Sequence, residues 1–349
     1  MHVPDGFINA PVSAAAGVVA AGAVAVSLRG ARRELDERTA PLAGLVAAFI
    51  FAVQMLNFPV AAGTSGHLLG GALAAILVGP FTGVLCVSVV LLMQGILFAD
   101  GGLTALGVNI TDMAIVTTVV SYAVFRALVK VLPRRRSSVT AASFAAALLS
   151  VPAAAVAFTL IYAVGGTTDI AISKVATAMV GVHVLIGVGE AVITALTVGA
   201  VIAVRPDLVY GARGLQQRLK LRVNGELVDA PAAGAPVPAR SSRRKVWITG
   251  LVTSLVLAGF VSFYASASPD GLEKVAKDKG IDAKAKAHAS EDSPLAGYGV
   301  KDVSDARLSG GLAGVIGVGV TVVAGTGVFW AVRRRRGADT SPASVPEGV

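Results

Sequence analysis

The chain has 349 residues and a formal net charge of +9; 54% of its residues are hydrophobic and 15% are charged. Soluble domains carry about 25% charged residues, so this composition excludes an ordinary soluble enzyme, and the apolar fraction excludes a disordered chain. The single cysteine, Cys86, excludes an internal disulfide and a zinc site built from cysteines. An excess of basic residues is typical of the cytoplasmic loops of membrane proteins, and we expect no nucleic-acid partner.

Nine apolar segments follow one another along the chain, and runs of about 20 apolar residues can cross a bilayer. The segments lie at 11–28, 41–59, 67–79, 81–98, 105–132, 139–164, 174–204, 246–266 and 309–332. The third segment crosses only if the bilayer is thinned or the segment is buried in a bundle; alternatively, it merges with the fourth into one re-entrant element. The sequence predicts an all-α, polytopic transmembrane helix bundle of about nine helices, seven before a long polar stretch and two after it.

The distribution of basic residues predicts the orientation, because cytoplasmic loops collect Lys and Arg. With the N-terminus outside, 22 of the 30 Lys and Arg residues fall on the inner side, and the outer loops 60–66 and 99–104 contain none. We therefore expect a multi-pass protein of the cell membrane, embedded in the lipid bilayer. Its N-terminus is expected to be extracellular and its C-terminus cytoplasmic.

The polar stretch divides the chain into two parts. Residues 206–245 are basic and then rich in Pro and Ala, which is typical of a cytoplasmic linker. They separate a first part, 1–205, from a second part, 246–332, whose two helices flank an outer loop at 267–308; a tail, 333–349, follows. The glycines of the last helix predict that it packs closely on the first part. The sequence leaves open whether the linker is cleaved.

The N-terminus has the composition of a metal chelator. The first ten residues lack the basic region of a signal peptide, so we expect Met1 to be the mature terminus. The Met1 amine, the deprotonated His2 amide and the His2 imidazole supply three coplanar nitrogens, and His67, on the same predicted side, is the natural fourth ligand. Square-planar nitrogen ligation favours Ni(II) or Cu(II) over Zn(II) and Mg(II). In the alternative interpretation, His2 is only a terminal residue and His67 an interfacial one.

Two acidic residues, Asp112 and Glu190, fall within predicted spans, where such residues are costly and often functional. His183 precedes Glu190 by seven residues and shares its helix face. This pair either orients a metal-bound histidine or relays protons, or it joins helices by hydrogen bonds. The other residues expected to reach or support the pocket are Asn57, Ser65, Asn109 and Asp112.

Other residues have simpler expected roles. We expect His288 to be solvated and Cys86 to be a packing residue. The methionines expected to pack are Met55, Met93, Met113 and Met179. Small residues on the second helix form a face that packs either within the bundle or against another membrane protein; they are Ala43, Ala47, Ala48 and Ala52.

Three sequence motifs carry a family resemblance: MHVPDGF at 1–7, TSGHLLGG at 64–71 and GVGEA at 187–191. Over residues 1–205 the chain resembles the CbiM/NikM family, the substrate-binding membrane subunits of energy-coupling factor (ECF) transporters for cobalt and nickel. The resemblance implies that Met1, His2 and His67 hold the metal. It also implies three partners, a coupling transmembrane subunit and two ATP-binding subunits, with the small-residue face of the second helix as a candidate contact.

The second part has its own likeness. SPDGLE at 268–273 and SPLAGY at 293–298 are similar to the PDGLE-type small subunit NikN. The corresponding cobalt-type subunit, CbiN, has the same layout but a different loop sequence. The chain therefore resembles a natural fusion, and the loop motif ranks nickel above cobalt as cargo.

We expect the chain to capture extracellular Ni(II), or Co(II), for ATP-driven uptake, with no resident cofactor. It lacks a phosphate-binding G-x-x-x-x-G-K-[ST] loop, so we expect separate subunits to hydrolyse ATP and the chain not to be an enzyme. The alternatives are a cobalt subunit supplying cobalamin biosynthesis, a vitamin-binding ECF subunit and a passive channel. An intramembrane metalloprotease would need an H-E-x-x-H motif, which the sequence does not contain.

Overall fold

The computed structural model describes residues 1–35, 40–61, 63–215, 220–223, 226–229 and 243–338. The first part contains α1 (Ala10–Glu34), α2 (Ala40–Gln54), α3 (Gly71–Val78), α4 (Pro80–Leu97), α5 (Leu106–Val131), α6 (Arg136–Gly165) and α7 (Ile172–Val204). The second part contains α8 (Arg243–Gly259), α9 (Gly271–Lys279) and α10 (Ala306–Ala338). Each of the nine predicted segments corresponds to one helix, and α9 is an additional helix within the predicted outer loop.

Seven helices in the described part of the chain are long and apolar enough to cross a membrane. They are α1, α4, α5, α6, α7, α8 with the turn that follows it, and α10. Large apolar side chains on their outer faces are exposed, such as Val18 at 73% and Leu196 at 69%, as expected of surfaces that face lipid. The prediction of an all-α, multi-pass membrane bundle is confirmed.

The short helix α3 is buried in the bundle. All eight of its residues are buried, which is one of the conditions under which so short a segment was expected to cross the membrane. Gly79, with φ of +104°, separates α3 from α4, and this conformation is easily reached only by glycine. Pro80 then begins α4, where its missing N–H costs no hydrogen bond. The two segments are therefore two helices joined by a turn.

Two predicted helix boundaries are wrong. α2 ends at Gln54, and the chain continues into strand β1 (Phe58–Ala61), which pairs antiparallel with β2 (Thr64–Gly66). Pro59 explains this because it has no N–H and disfavours a helical conformation in the residue before it. Residues 67–70 are also non-helical, and α3 begins only after Gly70, whose φ is +90°. We call the end of the bundle that carries β1 and β2 the hairpin end.

The second part is attached to the first by close helix packing. Gly325 of α10 lies 3.2 Å, measured from an ideal Cβ position, from the Cα of Gly44 on α2, and Gly317 packs against the ring of Phe51. Gly311 and Gly314 instead face α8. The small-residue face of α2 is fully buried in this chain, which favours packing within the bundle over contact with another protein; its residues are Ala43, Ala47, Ala48 and Ala52.

The buried residues of the bundle also include the predicted packing residues. Cys86, Met113 and Met179 are fully buried, whereas Met55 and Met93 are partly buried. The Cys86 thiol donates to the carbonyl of Ala43 at 3.4 Å, joining α4 to α2. These contacts agree with the packing roles expected from the sequence.

The predicted linker, 206–245, is described in part. It begins with two 3-10 turns, Pro206–Leu208 and Tyr210–Leu215, and continues into the antiparallel strands β3 (Lys220–Val223) and β4 (Glu226–Asp229). Residues 230–242 and 339–349 lie outside the described residues. The basic run at 333–336 lies within α10.

Candidate metal centre

The first nine residues lie in a groove at the hairpin end of the bundle. The Val3 N–H donates to Asn109 Oδ1 at 2.7 Å, and Asn109 Nδ2 donates back to the Val3 carbonyl at 3.2 Å. The Gly102 N–H also donates to the Val3 carbonyl, at 2.9 Å. At the other end of the segment, the side chain of Asn9 caps α1 by accepting from the Val12 N–H. Asn109 therefore supports the N-terminal segment through the Val3 backbone.

The Pro-Asp-Gly turn at 4–6 fixes the path of this segment. Asp5 Oδ1 accepts from the backbone N–H and the hydroxyl of Thr104, at 2.8 and 2.5 Å. Gly6 has φ of +92°, and any Cβ at this position would collide with the carbonyl of Lys284 in the second part. Lys286 N–H donates to the Asp5 carbonyl at 2.9 Å. Both parts of the chain thus hold the N-terminal segment.

This path brings the predicted ligands together. The Met1 nitrogen lies 2.6 Å from His67 Nε2, and the rings of His2 and His67 have centroids 5.2 Å apart. His67 Nδ1 lies 3.0 Å from the Leu68 carbonyl. Because a carbonyl only accepts, Nδ1 carries the proton and Nε2 keeps its lone pair toward the Met1 nitrogen. His67 therefore has the tautomer that a metal ligand requires through Nε2.

The His2 imidazole is held neutral, and one of its two nitrogens makes no hydrogen bond. Burial lowers its pKa to about 4; the positive terminal amine acts in the same direction, whereas the carboxylates of Asp100 and Asp270 oppose the shift. Its Nδ1 is buried and has no hydrogen-bond partner, a state that is costly unless a ligand occupies it. Nδ1 is also the imidazole atom that closes a chelate ring with the amide nitrogen of the same residue.

Sequence reasoning missed a fourth residue at this centre, Asp270. Its Oδ2 accepts from the Met1 amine at 2.7 Å and lies 3.6 Å from His67 Nε2. Burial disfavours the charged carboxylate, but the positive charge of the terminal amine and the hydrogen bond from the Glu273 N–H outweigh it and hold the pKa of Asp270 well below its usual range. The available signal was the second Pro-Asp-Gly, at 269–271, which the sequence analysis treated as part of a family motif and not as a site.

Ser65 supports Asp270 and does not contact the nitrogen donors. Its N–H donates to the Pro269 carbonyl at 2.8 Å, and its hydroxyl donates to the Ser268 carbonyl at 2.7 Å. Asp270 then begins α9 as its N-cap, in a reciprocal capping box with Glu273. Strand β2 therefore holds both His67 and the turn that presents Asp270.

Asp100, which sequence reasoning also missed, faces His2 and is held in turn by another missed residue, Tyr298. Asp100 Oδ2 lies 3.6 Å from His2 Nε2 and accepts from the Tyr298 hydroxyl at 2.6 Å. Tyr298 belongs to the second part and stacks on Phe98 with ring centroids 5.0 Å apart. Burial and the charge of Asp100 raise the pKa of Tyr298 well above its usual value, so the hydroxyl stays a donor. The second part therefore supplies a residue near each histidine, Asp270 beside His67 and Tyr298 on the carboxylate that faces His2.

Glu190 and His183 lie near the site but do not act as a pair. Glu190 accepts from the N–H groups of Leu69 and Gly70, at 2.6 and 3.0 Å, and so holds the segment that follows His67. His183 Nδ1 donates to the carbonyl of Met179 at 2.7 Å, and no hydrogen bond between His183 and Glu190 is present among these described residues. Of the predicted roles, Glu190 fits a residue that orients the His67 segment.

The remaining predicted residues stand apart from the nitrogen donors. Asp112 is fully buried in a π-helical stretch of α5, and neither of its carboxylate oxygens has a partner in the described structure. Asn57 contributes its backbone carbonyl, which accepts from the Ser266 N–H at 2.7 Å. His288 was expected to be solvated, but it is half-buried and its Nε2 donates to the Gly101 carbonyl at 3.1 Å. His288 is half-buried because the second part packs on the loop at 99–104, where this hydrogen bond forms.

Within the described residues, no group of three or more His, Cys, Asp or Glu side chains is arranged to hold a metal ion.

Two family models match the chain. One, described as the cobalt uptake substrate-specific transmembrane region, CbiM, matches residues 2–208, and the other, the PDGLE domain, matches residues 244–334. The chain belongs to the CbiM family. The expected combination of a CbiM/NikM-type part with a PDGLE part is confirmed.

Relatives of this CbiM-family chain bear both nickel and cobalt names. A protein of Archaeoglobus fulgidus, provisionally named fused nickel transport protein NikMN, is 39% identical over 60% of this chain and 68% of its own length. The fused nickel transport protein NikMN of Rhodobacter capsulatus is 44% identical over 36% of each chain. The cobalt transport protein CbiM of Sorangium cellulosum is 34% identical over 60% of this chain and 94% of its own length.

A solved structure shares the fold of the first part. It is a truncated transition metal transporter, 26% identical, which superimposes with a TM-score of 0.51 over 58% of this chain and 99% of its own length. Together with the family matches, this makes the chain a nickel or cobalt transport component of the CbiM/NikM type. It is a multi-pass membrane protein, and its relatives are transport proteins and not enzymes.

Proposed function

We propose that this chain captures extracellular Ni(II), in preference to Co(II), as the substrate-binding subunit of an ATP-driven ECF transporter. The observation that carries the proposal is the approach of the Met1 nitrogen to His67 Nε2, at 2.6 Å, beside the unpartnered Nδ1 of His2. Two nitrogen ligands each about 2 Å from a metal and at right angles to each other lie about 2.8 Å apart. The two nitrogens are therefore already spaced as neighbouring ligands.

The proposed complex has four nitrogen ligands. They are the Met1 amine, the His2 amide, His2 Nδ1 and His67 Nε2. Metal binding releases the amine and amide protons, so affinity should fall in acid. A planar set of four nitrogens suits Ni(II), and the names of the fused relatives support the same metal.

The proposed orientation places the hairpin end of the bundle outside the cell. The N-terminus, the outer loops without basic residues and loop 267–308 then face the exterior. Residues 206–245 act as a cytoplasmic linker between a metal-binding part, 1–205, and a PDGLE part, 246–332. A coupling membrane subunit and two ATP-binding subunits supply the energy, since the chain has no nucleotide-binding loop.

The test compares the native N-terminus with a form that carries three extra residues before Met1. The longer extension moves the free amine beyond the reach of a fused chelate ring with the His2 amide and imidazole, and it is too long to place the amine two residues before His2, where it would form a new planar chelate. We expect tight Ni(II) binding and a planar-complex absorption band in the native protein and loss of both in the extended one. An extension at the C-terminus is the matched control. Equal binding by both N-terminal forms would contradict the chelate and favour a vitamin-binding or channel function.

Cobalt uptake is the second candidate, because several relatives carry the name cobalt transport protein CbiM. A competition titration on the native protein ranks the two metals under the same conditions. Stronger retention of Ni(II) supports the nickel proposal. Stronger retention of Co(II) reverses it and favours supply to cobalamin biosynthesis.

A further inference from the structure

The second part of the chain places one carboxylate directly on the N-terminal amine. Asp270 Oδ2 is 2.7 Å from the Met1 nitrogen, and the side chains of Met1 and Asp270 are 0% and 16% exposed. The other nearby carboxylate, that of Asp100, is 28% exposed, lies beside His2 and accepts from Tyr298. Asp270 is therefore the acid that contacts a predicted metal ligand, the fully buried Met1 amine.

We propose that Asp270 is the counter-ion of the metal centre: it holds the terminal amine beside His67 when no metal is bound, and it balances the metal's charge when one is. This proposal rests on the chelate proposed above. It makes Asp270 a positioning residue, contributed by the PDGLE part to a centre whose four nitrogens come from the first part.

The charges balance in both states. Without metal, one positive charge on the amine faces one negative charge on Asp270. A bound divalent ion brings two positive charges, while the amine loses one proton to solvent and the His2 amide loses another. The ion and the amide anion then leave one net positive charge, which Asp270 again neutralises. Balance matters here because an unpaired charge in a buried site is costly.

The carboxylate is held where this role needs it. Its Oδ1 accepts from the Glu273 N–H at 2.8 Å, which leaves Oδ2 facing the amine. A metal-bound amine keeps two N–H groups, so one can still donate to Oδ2. Behind Asp270, Gly271 packs on α7 so closely that a Cβ would lie 2.8 Å from Ile186 Cδ1 and 3.1 Å from His183 Cε1. A larger residue at 271 would displace the carboxylate.

The test uses the full chain with Asp270→Asn. Asparagine caps helices as well as aspartate does, so the substitution removes the charge and keeps the turn. Asp270→Ser, which also caps a helix, serves if the asparagine variant does not fold. Asp278→Asn is the matched control, because it removes the same charge from an exposed position on the same helix.

We expect Asp270→Asn to weaken Ni(II) binding about ten- to a hundred-fold, the range for losing a hydrogen bond to a charged group, with an unchanged planar spectrum. In metal-free protein, the Met1 amine should react faster with an amine-specific label. Asp278→Asn should match the native protein in both measurements.

Three results would overturn the proposal. Native affinity and native labelling in Asp270→Asn would leave the chelate standing and remove the counter-ion. A spectrum that changes from a higher-coordinate to a planar form in this variant would make Asp270 a ligand instead. Insensitivity of binding to the N-terminal extension would remove the chelate and, with it, the counter-ion role.

Discussion

At the scale of single residues, the centre depends on which nitrogen of each histidine is free. The backbone carbonyl of Leu68 leaves His67 Nε2 with its lone pair toward the Met1 nitrogen. The Asp100 carboxylate lies 3.6 Å from His2 Nε2, whereas His2 Nδ1 has no partner. A hydrogen bond to the second nitrogen commonly fixes the tautomer of metal-binding histidines, as the Leu68 carbonyl does for His67. The nitrogen left free on each ring is the one that the proposed chelate requires.

The first prediction compares His67, which faces the Met1 nitrogen, with a buried histidine that does not. His67→Ala removes the proposed fourth nitrogen ligand and should weaken Ni(II) binding at least about a hundred-fold. Loss of a ligand should cost no less than loss of a residue that supports one, which costs about ten- to a hundred-fold. His183→Ala is the control, because His183 is equally buried but bonds only the Met179 carbonyl. Calorimetric or spectroscopic titration measures both. Equal affinities for the two variants would exclude His67 as a ligand.

A second prediction concerns pH in the metal-free protein. Burial lowers the pKa of docked His2 to about 4, whereas an undocked, solvated His2 has the ordinary value of 6.5. Between these values the undocked terminus binds more protons, so acidification from about pH 6.5 toward 4 should favour its release. Above pH 6.5 both forms are neutral, and His2 contributes no pH dependence.

Hydrogen exchange at the Val3 amide reports this release, because that N–H donates to Asn109 only in the docked form. After correction for intrinsic exchange, protection at pH 5 should be lower than at pH 7. His2→Gln cannot titrate and should show equal protection at the two values. Equal protection in the native protein would mean that His2 does not control docking.

At the scale of elements, the short helix α3 and the segment before it position His67. The segment 67–70 enters the bundle without helical hydrogen bonds, and Glu190 of α7 accepts two of its N–H groups. A buried carboxylate is a strong acceptor for such groups. The geometry of His67 therefore depends on α7 as well as on its own strand.

The third prediction tests this support. Glu190→Gln leaves one oxygen acceptor in place of two and should lower the free energy of unfolding by about 1–3 kcal/mol, the range for leaving a buried N–H without its acceptor. Ni(II) affinity should fall with it, because the His67 segment loses a constraint. Glu291→Gln, at an exposed position of the second part, is the control. Thermal unfolding in detergent and metal titration are the measurements; a variant as stable as the control would contradict the role.

At the scale of the whole molecule, two chain parts build one centre. The packing of α10 on α2 is so close that a Cβ added to Gly325 would lie 3.2 Å from the Cα of Gly44. Loop residues of the second part contact the N-terminal segment, the 99–104 loop and β2. These contacts do not require a covalent link. Helix packing through small residues is a usual way to join membrane segments.

The fourth prediction follows from that packing. A protease site inserted between residues 231 and 240, outside the described structure, allows the linker to be cut in the folded protein. We expect the two parts to remain together in detergent after cleavage and Ni(II) affinity to be unchanged. Uncut protein that carries the same insertion is the control. Separation of the parts would show that the linker holds the centre together.

The sequence was sufficient for the features that depend on neighbouring residues. Apolar runs predicted the helices because crossing a bilayer depends on the composition of each segment. The chelate of Met1 and His2 was likewise proposed from consecutive residues, and it stays a prediction. The expected helix end at 59 was wrong, because the chain leaves the helix after Gln54 and Pro59 lies in a strand. Only the tertiary structure brought Asp100, Asp270 and Tyr298 to the predicted ligands, because α10 must first pack on α2 and the 269–271 turn on α7. Apart from the repeated Pro-Asp-Gly, such contacts between distant segments leave no local pattern from which they could be predicted.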